Sequence, residues 1–156
     1  MKLRSLLLVI VLGVGSTALV IAQSTREASS RDDYLPRLGD IMGVAQWRHI
    51  KLWFAGKLLN WDLAAYEVNQ IRGSLVDAAT LYPGIPVTDV TTMAKPLQSI
   101  SEAIDTKDSA KFAKAFNELT AGCNSCHREI GRAFIAIQVP AVSPFTNQLF
   151  PPQSKQ

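Results

Sequence analysis

Cys123-Asn124-Ser125-Cys126-His127 places two thiols and an imidazole within five residues, the C-x-x-C-H arrangement that covalent attachment of a c-type haem requires. Each thiol adds its sulfur and hydrogen across one vinyl group of the porphyrin, and the adjacent His127 then lies where it can bind the iron from the proximal side. The chain has two cysteines and two histidines in all. A structural zinc site wants four such ligands. His49 is too distant in sequence to complete the usual H-x-x-x-H spacing. A thioredoxin-type dithiol also uses C-x-x-C, but it expects a preceding strand in a βαβ context, whereas the residues around Cys123 recur at helical spacing. One covalent haem c, held by Cys123 and Cys126 with His127 on the iron, is the expectation; a redox dithiol or a plain disulfide is the alternative.

The elements that carry this motif follow from apolar periodicity. Leu38, Met42, Ala45, Leu52, Trp53, Gly56 and Leu59 mark a first helix of about 23 residues, with His49 in the middle of its stripe. Asn60 is placed to cap a second helix, whose face is Ala64, Val68, Ile71, Leu75 and Ala78 and which Pro83-Gly84 stops. Val90, Met93, Leu97, Ile100 and Ile104 predict a third, either kinked at Pro96 or starting near Lys95. Asp108 is the expected cap of a fourth, in which Phe112, Phe116, Leu119, Cys123, Cys126, His127, Ile130, Phe134 and Ile137 share one sector. No alternating strand pattern intervenes. The expected fold is all-α: an up-down-up-down four-helix bundle over residues 34–138 with the haem between helices, followed by an extended tail, residues 139–156. Pro140, Pro144, Pro151 and Pro152 bar a long helix in that tail, and Phe145 and Phe150 are expected to pack across the outside of the bundle, the alternative being a docking surface or a cover for the haem edge.

The first 22 residues open with Lys2 and Arg4, run apolar from Leu6 to Leu12, and end at Val20-Ile21-Ala22, which reads as a cleaved secretory signal peptide rather than a retained anchor. Export matches the motif, because c-type haem is attached outside the bacterial inner membrane; a periplasmic protein with no membrane association after cleavage is expected. Residues 23–33 are polar and aperiodic, a flexible leader. Loss of Lys2 and Arg4 lowers the formal charge from +3 to +1, which removes any case for nucleic-acid binding. The remaining chain suits one domain.

Asp108-Ser109-Ala110-Lys111-Phe112-Ala113-Lys114-Ala115-Phe116, then Leu119 and the motif itself, resembles the last helix of cytochromes c′ and their low-spin, c556-like relatives. Gly56-Lys57 to Trp61-Asp62 is similar to the link between that family's first two helices. The resemblance covers residues 34–134. It departs at Gly131, where the family carries an arginine or lysine beside the haem histidine, while here the basic residues are Arg128 and Arg132. It implies that the first helix supplies the iron's sixth side: an apolar residue leaves it open to small gases, a methionine closes it for electron transfer. Counting back from Trp61 to the family's distal position gives Ile41.

The residues themselves offer two ligands for that side. If helix four ends near Gln138, His127 lies about 11 residues, roughly 16 Å, from its end. The same depth in helix one, counted from Leu35, falls at Ala45 to Gln46, with Met42 and His49 a turn to either side. His49 is a polar group in an apolar stripe and wants a partner; Met42 shares the face and would give a higher potential. Arg48 is a candidate for a haem propionate, since a guanidinium matches a carboxylate. The expected function is electron transfer by Fe(III)/Fe(II) cycling, with redox proteins as partners, a homodimer as a further expectation and no enzymatic activity. A gas-binding or gas-sensing haem protein with an open sixth site is the alternative.

Overall fold

The computed structural model describes residues 35–154 except Pro86, and of residues 87–90 the backbone alone. The signal peptide (1–22), the leader (23–33) and Tyr34 therefore lie outside the described residues. Four helices follow one another with no strand among the described residues: α1 (Leu38–Lys57), α2 (Trp61–Leu81), α3 (Val87–Asp105) and α4 (Ser109–Glu129). None is long and apolar enough to cross a membrane. The all-helical architecture is that of a four-helix bundle.

Local chemistry accounts for the helix boundaries. Asn60 Oδ1 accepts the Leu63 N–H at 3.2 Å and caps α2; Asp108 Oδ1 accepts from Ala110 N and Lys111 N at 3.0 and 2.9 Å and caps α4. These two bonds hold the Asp108 carboxyl below its ordinary pKa, the Lys111 N–H contributing most. The helices before both caps close in the same way. Asn60 N bonds Ala55 O and Leu59 N bonds Gly56 O; Asp108 N bonds Ala103 O and Lys107 N bonds Ile104 O. Each is a Schellman closure, with Leu59 (φ 63°) and Lys107 (φ 52°) in the left-handed region. The residue that finishes one helix caps the next, so the chain reverses within three residues. α3 starts at Val87 and runs through Pro96, eight residues before the later of the two starts read from the sequence.

α4 closes by a third copy of that motif, with Arg132 N to His127 O and Gly131 N to Arg128 O, and Gly131 at φ 70°. This corrects the expectation of a helix reaching Ile137. The glycine takes the left-handed conformation that other residues resist, and the helix stops at Glu129. Phe134, placed by periodicity on the core face, is 79% exposed.

The core is densest at the α1–α2 and α3–α4 corners. Leu52, Val68, Ile100, Phe112, Phe116 and Leu119 are buried there, and Trp53 and Trp61 close in beside Phe112, with ring centroids at 6.3 and 6.0 Å. A Cβ on Gly56 would overlap the Phe112 ring, so this glycine sets how closely α1 approaches α4. Trp47 is 51% exposed and meets Phe145 edge-on at 5.4 Å. Beyond α4 the described chain has neither helix nor strand. Phe150 is buried against Phe54 at 5.7 Å, and Asn60 Nδ2 donates to the Phe150 carbonyl at 3.0 Å.

Candidate haem site

Three contacts fix the register of α1 against α4. His49 meets Thr120, Trp53 meets Phe116, and Gly56 meets Phe112. Partner numbers on α4 fall as those on α1 rise, so the helices are antiparallel. Continued toward the N-terminus of α1 at 1.5 Å per residue, the same register sets Gln46 level with Cys123 and Met42 level with His127.

At that end the helices do not fill the space between them. A cavity of about 380 Å³ is lined by Met42, Gln46 and His49 from α1, Cys123, Cys126 and His127 from α4, and apolar residues of α2 and α3 such as Ile71, Leu75 and Met93. Gly39 and Gly43 lie on its α1 wall, and a Cβ on either would meet nothing within 4 Å, so two consecutive turns of helix present bare backbone to open space. The volume falls within the ~300–1,000 Å³ typical of cofactor sites. Met93 sulfur packs where a Cβ on Gly122 would come within 2.7 Å, so Gly122 admits a thioether beside Cys123 that the motif did not announce.

The motif side chains are half-buried, and the two thiols form no disulfide. Burial, with a smaller contribution from neighbouring Cys126, pushes the Cys123 thiol up to about 11. That is opposite to the depressed pKa of a catalytic redox dithiol. His127 Nδ1 lies 2.8 Å from the Ile135 carbonyl, which can only accept, so Nδ1 carries a proton and, in the neutral imidazole, Nε2 is the nitrogen with the lone pair. Among the described residues no three His, Cys, Asp or Glu side chains gather to hold a bare metal ion.

The residues proposed for the facing side separate. Met42 and His49 both line the cavity. His49 is buried, and its Nε2 is 2.9 Å from Thr120 Oγ1. The Thr120 hydroxyl donates to Phe116 O at 2.9 Å, so it accepts from the imidazole, whose Nε2 carries the proton. Burial lowers the His49 pKa to about 4, and the ring is neutral at pH 7. Ile41 does not line the cavity. It is buried with Ala78 and Ile85 beside Leu38 and Tyr82, in a satellite cluster.

Arg48 also lies off the cavity, contrary to its reading as a propionate contact. Its Nη1 is 3.3 Å from Glu67, a carboxylate 1% exposed whose pKa burial raises against the pull of Arg48 and Lys51, and its guanidinium stacks 5.5 Å from the Tyr66 ring centroid. A buried carboxylate needs that partner. Arg132 is the basic residue on the cavity wall. Its position five residues past His127 gave no signal while α4 was read as continuing. No protein-family model, curated protein or solved structure matches this chain.

Proposed function

We propose that this protein is an exported monohaem c-type cytochrome that transfers electrons in the periplasm. The observation that carries the reading is one cavity whose α4 wall bears both thiols and the imidazole of C-x-x-C-H, and whose α1 wall carries Met42 between two glycines, Gly39 and Gly43. An apolar lining, two thiols outside any disulfide and a histidine whose Nε2 lone pair is free all suit a covalently held porphyrin. When bound, the haem supplies one-electron Fe(III)/Fe(II) cycling. Cys123 and Cys126 tether it, and each thioether forms by addition, with no leaving group and no oxidant. His127 gives the proximal nitrogen. Met42, level with His127 in the α1–α4 register, is the sixth ligand in this proposal. His49, two turns away and bonded through Nε2 to Thr120, shapes the pocket. Arg132 takes the propionate-pairing role first assigned to Arg48.

The test is the optical spectrum of the ferric and ferrous protein, purified from a host that matures c-type cytochromes, with Met42→Ala and His49→Ala alongside. A low-spin wild type that becomes high-spin only in Met42→Ala is expected. A high-spin wild type that binds CO readily would replace this reading with a gas-binding haem protein. Absence of haem absorbance would end both.

A further inference from the structure

The nine residues after α4 hold a device that the motif does not require. The chain turns back at Gly131, makes a tight turn closed by Ile135 N to Arg132 O at 2.8 Å, and then runs antiparallel to the helix it has just left. Two attachments show the direction. Ile135 O meets His127, and Ile137 meets Asn124, so helix numbers fall as strap numbers rise. The second attachment is double: Asn124 Nδ2 donates to Ile137 O at 2.8 Å, and Ile137 N donates to Asn124 Oδ1 at 2.7 Å. One amide side chain thus pairs with both polar groups of one backbone residue, as a neighbouring strand would. Ile135 and the clamped Ile137 both line the cavity.

The geometry points to Asn124, the first of the two residues between the cysteines, as a positioning residue for the proximal ligand. Asn124 holds Ile137, the clamp fixes the strap two residues on from Ile135, and the Ile135 carbonyl takes the His127 Nδ1 proton in a 2.8 Å bond. Few other restraints act on this carbonyl, because Ile135 is 42% exposed and Phe134 beside it is 79% exposed. A carbonyl held on Nδ1–H raises the donor strength of the imidazole and favours the ferric state. Asn124 would therefore lower the reduction potential of the loaded protein through the backbone of Ile137 and Ile135. This rests on the haem reading above.

The experiment uses the full-length holoprotein, matured in a cytochrome-assembling host, as wild type, Asn124→Ala, Asn124→Gln and, as a control inside the same motif, Ser125→Ala, whose hydroxyl bonds only the exposed Glu129 at 3.1 Å. Haem content, reduction potential and NMR exchange of the Ile137 amide and the His127 ring N–H are measured. Asn124→Ala is expected to keep its haem through the thioethers, to exchange both protons faster, and to shift upward in potential. Asn124→Gln, with the same groups one methylene further out, falls between it and wild type, and Ser125→Ala matches wild type. A wild-type potential in Asn124→Ala overturns the inference whether or not Ile137 exchange speeds up. A wild-type protein lacking haem overturns the cytochrome reading itself, and the inference with it.

Discussion

At the residue scale, His49 is a polar group in an apolar stripe whose hydrogen-bond partner lies far along the chain. An imidazole in an apolar stripe needs a hydrogen-bond partner. The group that answers is Thr120, 71 residues later. The pair makes the protein sensitive to acid. The folded-state pKa of about 4 lies below the ordinary 6.5, so the unfolded chain binds the extra proton first. Stability from this group is complete above pH 6.5, is lost as pH falls toward 4, and amounts to on the order of 3 kcal/mol at 1.36 kcal/mol per unit. Urea midpoints of the wild type should fall between pH 7 and 4.5 more steeply than those of His49→Gln. Thr120→Val removes the acceptor and leaves a buried N–H unpaired, for an expected loss of about 1–3 kcal/mol at pH 7 in the same assay.

At the element scale, three Schellman closures decide where the helices end, and only one of them uses the residue that such a closure prefers. Gly131 stops α4, whereas the apolar spacing of Ile130, Phe134 and Ile137 alone predicts a continuing helix. Ile130 and Ile137 both line the cavity although the chain folds back between them, whereas Phe134 is exposed. Lys107 and Leu59 gave no signal, since neither is a residue type that prefers the left-handed region. Strain at Lys107 is open to test. Lys107→Gly should raise stability by about 1 kcal/mol, read as an increase in thermal midpoint. Gly56→Ala should act oppositely. Its new Cβ overlaps the Phe112 ring, and an overpacked contact costs about 1–3 kcal/mol.

At the scale of the whole molecule, the bundle is closed by aromatic side chains at one end and opened by glycines at the other. Trp53, Phe112 and Phe116 bring α1 and α4 together; Gly39 and Gly43 leave the cavity where the same pair continues. The chain after the strap is tied to the closed end by Phe150 and Asn60, and Phe145 meets Trp47 edge-on. Phe150→Ala should therefore lower stability by about 2 kcal/mol, as expected for one buried aromatic, while leaving the reduction potential of the holoprotein at its wild-type value. Paired with Asn124→Ala, it separates what the C-terminal residues do for the fold from what they do for the site.

The haem motif, the caps at Asn60 and Asp108 and the four apolar stripes were legible in the amino-acid order alone, because each depends on groups within a turn or two of one another. Depth and pairing were not. Whether Ile41, Met42 or His49 stands level with His127 depends on the register between two helices some 70 residues apart, and that register is set by how Trp53, Gly56, Phe112 and Phe116 interlock. The exchange of Arg48 for Arg132 at the cavity has the same origin: a buried carboxylate on α2 captures the first, and a helix that ends at Glu129 brings back the second. Short-range bonding is written in the sequence, whereas competition among distant partners for one side chain is resolved only when the helices pack.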